Sequence, residues 1–110
     1  MTTLTEDLPI VKQGADFLAT LPINSDSVDI NHCTFKGQIR RYSGGPLLSP
    51  LAISYSGGLL NISMTHDQTS LIPATLANKW VYDIFIILPD QSRLCLLEGK
   101  VTVDPAITEF

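Results

Sequence analysis

The segment from Lys79 to Pro105 constrains the fold more than any other, because its pattern admits one structural reading. Two apolar, β-branched and aromatic runs flank Pro89-Asp90-Gln91-Ser92, residue types that turn a chain, so the segment is a β-hairpin. Strand side chains alternate between faces. The first arm therefore sets Trp80, Tyr82, Ile84 and Ile86 against Val81, Asp83, Phe85 and Ile87. The second arm groups Cys95, Leu97, Gly99, Val101 and Val103, and its other face carries Leu94 and Leu96, then Glu98, Lys100 and Thr102. With Ile84 and Leu97 turned to the core, strict alternation puts Phe85, Ile87, Leu94 and Leu96 together on the opposite side. Monomers seldom leave such a patch bare. These four residues are the expected subunit contact, the alternative being cover from Leu8 and Ile10 within one chain.

The preceding chain repeats the theme. Phe17, Ala19, Leu21 and Ile23 alternate with Asp16, Leu18, Thr20 and Pro22, the proline suiting an edge strand. Asn24 to Ser27 is a loop, and from His32 to Arg40 the set Cys33, Phe35, Gly37 and Ile39 alternates with Thr34, Lys36, Gln38 and Arg40. Ser43-Gly44-Gly45-Pro46 breaks the pattern, and a short strand is expected around Leu51 to Tyr55. After Gly57-Gly58, Leu60, Ile62 and Met64 alternate with Leu59, Asn61 and Ser63. Thr65 stands three residues before Gln68, the spacing of a capping box, and Pro73 limits the helix it starts to two turns.

Six or seven short strands, spaced by about ten residues and punctuated by Gly and Pro, are the mark of a β-sandwich. Trp80 stands fifteen residues before Cys95 and far from Cys33, which is not the antibody spacing, so the expected architecture is all-β and immunoglobulin-like, about seven strands with one short helical turn, but no antibody relative. Residues 1–8 read as a flexible N-terminal arm, 9–107 as a single domain and 108–110 as a C-terminal tail. The predicted core is Trp80, Tyr82, Ile84, Ile86, Leu97, Val101 and Val103 packed on Phe17, Phe35, Ile39, Leu60 and Ile62.

A net charge of −4 argues against a nucleic-acid binder, whose phosphate contacts need clustered cations. The polar N-terminus has no apolar secretion core, and no run approaches the roughly 18 apolar residues of a membrane span, so no membrane association is expected. His32 and His66 are too few for a metal cluster, and His66 at a helix start reads as exposed and inert. Ser, His and Asp occur without a nucleophile elbow, and Gly44-Gly45 and Gly57-Gly58 lack the strand-to-helix setting of a phosphate loop. No catalytic, cofactor-binding or metal residue is therefore assigned. A bridge between Cys33 and Cys95 would close a loop of about 60 residues and be worth roughly 4 kcal/mol. Reduced thiols, packing as small hydrophobes, are the expected state.

Several stretches also carry a resemblance. They are Lys12-Gln13-Gly14-Ala15-Asp16-Phe17, Gly37-Gln38-Ile39-Arg40 before its Gly-rich turn, and Gly57-Gly58-Leu59-Leu60-Asn61-Ile62 before the capped turn. To these are added Trp80-Val81-Tyr82-Asp83-Ile84 and Leu96-Leu97-Glu98-Gly99-Lys100-Val101-Thr102-Val103 with Pro105. Together, over about residues 9–107, they resemble a small domain found in many tailed-bacteriophage virion proteins and prophage genes. The resemblance implies an immunoglobulin-like sandwich near baseplates, tail fibres or fibre-attachment proteins, non-catalytic and without cofactors. It implies a tail, baseplate or tail-fibre adaptor that associates with other phage structural proteins, as a homo-oligomer or symmetric assembly. Such a protein is made in the host cytoplasm and resides in the virion. Gln91 departs from the pattern, which has Gly after Asp at that turn. A capsid decoration (cement) protein is the alternative. A receptor- or carbohydrate-binding module ranks below both, because sugar platforms need exposed aromatics and Trp80 is expected in the core.

Overall fold

Alternating burial along each apolar run produces nine strands in the computed structural model, which describes residues 3–23, 30–75 and 78–108. They are β1 (Leu4–Thr5), β2 (Val11–Lys12), β3 (Phe17–Pro22), β4 (Thr34–Arg40), β5 (Leu47–Ser56), β6 (Leu59–Met64), β7 (Trp80–Ile87), β8 (Arg93–Val101) and β9 (Val103–Asp104). A 3₁₀ turn, Ile30–His32, leads into β4, and one helix, α1 (His66–Leu71), connects β6 to β7. The expected loop at 24–27 lies outside the described residues.

Seven strands follow in the order β1-β8-β7-β4-β5-β6-β3, folded over at β5. Residues Leu47 to Leu51 of β5 pair with β4, and Ala52 to Ser56 pair with β6, so this strand passes from one layer to the other. The layers are thus β4-β7-β8 and β5-β6-β3, the C–F–G and D–E–B order of an immunoglobulin-like sandwich. Between them lie the buried side chains of Phe17, Ile39, Leu60, Ile62, Tyr82, Ile84, Ile86, Leu97, Val101 and Val103, ten of the twelve predicted core residues. Burying each large one contributes about 1.5–3 kcal/mol. Trp80 and Phe35, the other two, are only partly buried, at the margins of the core.

The helix forms as its caps dictate. The Thr65 hydroxyl accepts from the Gln68 amide at 3.3 Å, while the Gln68 side chain accepts from the Thr65 amide at 2.9 Å. Thr69 anchors it: fully buried, its hydroxyl donates to the Ala15 carbonyl at 2.8 Å and accepts from the Gly14 amide. Gly14 itself lies at φ 82°, a conformation glycine adopts without a Cβ penalty.

Three expectations need correction. First, residues 3–8, the described part of the expected arm, are built into the sandwich: β1 pairs parallel with β8, the Glu6 and Leu8 amides donate to the Glu98 and Lys100 carbonyls, and Leu8 is buried. Polar composition concealed this, since a strand added at a sheet edge is held by backbone bonds and needs little apolar side chain. Second, β5 begins at Leu47 rather than near Leu51. Pro50 pairs opposite Gln38 where β5 still forms the layer edge, a place that tolerates a missing N–H. Third, the alternation in β8 is not strict. Ile84 pairs with Leu97 but Phe85 with Cys95, leaving Leu96 as an extra residue in a β-bulge. Leu96 and Leu97 are each 1% exposed, and beyond the bulge Leu94 pairs with buried Ile86.

The hairpin turn places Gln91 at φ 72°, with its amide donating to the Leu88 carbonyl at 2.8 Å. Asp90 braces the turn by accepting from the Ser92 amide and hydroxyl, bonds that hold its carboxyl below the usual range. A left-handed backbone costs a residue with a Cβ about 1–2 kcal/mol, so Gln91→Gly should gain up to about 1 kcal/mol after its own entropy loss. A rise in the urea midpoint with unchanged slope is the expected reading.

Candidate functional site

The bulge redistributes the residues expected to share an outer face. Phe85 and Ile87 do lie there, partly exposed, but Leu94 and Leu96 turn into the sandwich. The neighbours of Phe85 and Ile87 on this face are instead Cys95 and Arg93 from β8, with Lys36 and Thr34 from β4. The outer surface of β4-β7-β8 is consequently an apolar strip with a charged border, not a four-residue apolar patch.

Two shallow depressions continue along this face. One, of about 420 Å³, runs over Phe85 and Ile87 between Lys36, Arg40 and Arg93. The other, of about 430 Å³, is bounded by Thr5, Arg40, Asp83, Glu98 and Lys100, and Gln38, Arg40 and Asp83 belong to both. Arg40 is positioned by its neighbours, its guanidinium donating to the Gly45 carbonyl at 2.7 Å and to Gln38 Oε1 at 2.9 Å. Asp83 and Glu98 are direct cross-strand partners, a like-charge pairing that opposes folding. Partial burial raises the Asp83 carboxyl above its ordinary range, Glu98 adds to the rise and Arg40 opposes it.

Burial raises the Cys95 thiol, and Asp83 and Glu98 raise it further, which keeps it protonated and a poor nucleophile. Cys33 packs at the core margin, and both cysteines are thiols, not a disulfide. Labelling the denatured protein without reductant should modify both; labelling of neither would reveal a bridge formed in solution. Burial likewise holds the Tyr82 phenol well above its usual value, with the Glu6 and Asp7 carboxylates adding to it, and the hydroxyl donates to the Glu6 carbonyl. Among the described residues no group of three His, Cys, Asp or Glu side chains could hold a metal ion. His66, exposed as expected, has Asp16 as a partner: Nδ1 lies 3.0 Å from the carboxylate, which also accepts from the His66 amide and is held below its usual range by these bonds.

No family model matches the chain, and no curated protein matches it. Solved structures similar to it include a chimeric titin Z1Z2 carrying a KLER exogenous peptide from decorin, 16% identical, with a TM-score of 0.47 over 91% of this chain and 88% of that one. CopC from Methylosinus trichosporium OB3b is 11% identical, with a TM-score of 0.44 over 98% of this chain and 91% of that one. The titin domains Z1Z2 in complex with telethonin are 16% identical, at a TM-score of 0.44 over 96% of this chain and 51% of that one. The immunoglobulin-like assignment rests on the strand order and register of this molecule.

Sequence reasoning missed Arg93, Lys36 and Arg40 as the border of the outer face. The signal was present in the alternation of β4, where Lys36, Gln38 and Arg40 were already assigned opposite the core-facing set. What was lacking was the phase of β8 beyond Leu97.

Proposed function

We propose that this chain is a non-catalytic association module of a tailed-bacteriophage virion, an adaptor at the tail, baseplate or tail fibre. It holds another structural subunit against the outer face of β4-β7-β8. The observation that carries this reading is the pair Phe85 and Ile87, half-buried in their own sheet and bordered by the cations of Lys36, Arg40 and Arg93. An apolar centre with a polar rim is the usual anatomy of a protein contact. The resemblance of the Gly37, Gly57 and Leu96 stretches to virion domains supplies the setting.

Phe85→Glu tests the reading inside an assembling phage. The carboxylate would stand opposite Lys36 in the β4 register, so the sandwich tolerates it. The variant should keep its circular-dichroism spectrum and urea midpoint while incorporation into particles falls at least about tenfold, as expected when a central contact worth about 2 kcal/mol is lost. A folded variant incorporated at the parental level overturns the proposal. Micrographs of particles labelled on this protein separate the tail position from a capsid decoration.

A further inference from the structure

Beside the outer face, an open cleft of about 760 Å³ separates the turn after β4 from the start of β7. Its walls carry Arg41, Tyr42, Asn78, Lys79, Trp80 and Lys100, and no carboxylate is among the lining residues. Three of the seven Lys and Arg side chains in a chain of net charge −4 are thus gathered in one place. None of the three is in an ion pair among the described residues.

The aromatic part of the cleft is held still. Trp80 Nε1 donates to the Pro73 carbonyl at 2.7 Å, and the Arg41 guanidinium lies over the indole, 5.1 Å from its centroid. Tyr42 is 61% exposed, yet its ring is backed so closely by Gly45 that a Cβ there would lie 2.8 Å from ring atoms. The Gly45 amide closes this turn by donating to the Tyr42 carbonyl at 2.8 Å. A supported, exposed ring next to cations that have no ion pair among the described residues presents large contact area at little entropic cost.

We infer that this cleft binds an anionic saccharide, its ring stacked on Tyr42 and its carboxylate or phosphate held by Arg41 and Lys79. A pyranose offers a C–H face to Tyr42 and hydroxyls to the Asn78 amide. Three cations suit one or two negative groups, whereas the dense charge of a nucleic acid would meet an otherwise acidic chain. The carbohydrate reading ranked low while Trp80 was placed in the core; partly buried at the mouth of a cleft, it no longer argues against it. The inference is independent of which subunit the Phe85 face holds.

Trp80 is the only tryptophan, so its fluorescence reports the cleft directly. The whole chain is titrated with oligogalacturonate and with phosphomannan oligosaccharide, which separate carboxylate from phosphate, and with neutral dextran and single-stranded oligothymidylate as controls. A saturable change with at least one anionic saccharide, weakened by salt and absent with dextran, is expected. Tyr42→Ala and Lys79→Ala, each with the parental urea midpoint, should weaken it about tenfold, the scale of one lost charged contact, while Phe85→Glu leaves it unchanged. No saturable response to either saccharide, equal binding by the Tyr42→Ala and Lys79→Ala variants, or tighter binding of oligothymidylate overturns the inference.

Discussion

Ile84→Ala should lower the free energy of unfolding by about 2–5 kcal/mol, and the upper half of that range is expected. The side chain is fully buried, in register with Gly37 on β4 and Leu97 on β8. Gly37 explains why the site relaxes poorly. A Cβ on Gly37 would lie 2.9 Å from Ile84 Cγ1 and 2.8 Å from Ile53 Cδ1, so these two side chains lie directly over bare backbone. Truncating Ile84 empties space walled on one side by the main chain of β4, which is pinned between β5 and β7 and cannot move in to fill it. The next residue supplies the control. Phe85 lies on the other face, and Phe85→Ala in the isolated chain should cost distinctly less than Ile84→Ala. Urea unfolding at a common slope decides the matter; equal losses at the two positions would mean that β7 does not present alternate faces to core and surface.

The contrast between β7 and β8 explains which parts of the fold could be read without coordinates. In β7 a charged residue, Asp83, interrupts one face, so the phase of the alternation is determined and Tyr82, Ile84 and Ile86 fall inward as expected. In β8 the run Leu94-Cys95-Leu96-Leu97 is apolar at every position, and period-two reasoning has nothing to register against until Glu98. A bulge within such a run leaves composition unchanged while moving every side chain beyond it to the other face. That single inserted residue removed Leu94 and Leu96 from the expected contact and left Phe85 and Ile87 there. The cleft beside Trp80 was hidden for a different reason. It is assembled from a turn after β4 and a segment before β7 that are far apart in sequence, and Trp80 shares the inward phase of its strand while lying at the strand's first position, where the core ends.

Gly99→Ala should detach the N-terminal strand while leaving the sandwich behind it folded. A Cβ on Gly99 would lie 2.1 Å from the Glu6 carbonyl oxygen and 2.7 Å from its carbon, and both are backbone atoms with no rotamer to change. The segment must therefore move by more than an ångström or leave. Either way it loses the Glu6 amide bond to Glu98, the Leu8 amide bond to Lys100 and the Tyr82 hydroxyl bond to Glu6. At about 1 kcal/mol for each bond the loss is roughly 3 kcal/mol, before any exposure of Leu8 is added. It also uncovers the outer edge of β8, an unpaired row of backbone groups that invites association between chains. Tyr82→Phe separates the clash from the bond, since it deletes one hydroxyl and should cost only about 1 kcal/mol with the strand still in place. Native-state hydrogen exchange reads the difference at two amides. In Gly99→Ala those of Glu6 and Leu8 should exchange almost as in an unfolded chain while those of β7 stay protected; in Tyr82→Phe all should stay protected. Parental protection of Glu6 and Leu8 in Gly99→Ala would show that the strand does not depend on the gap glycine leaves in β8.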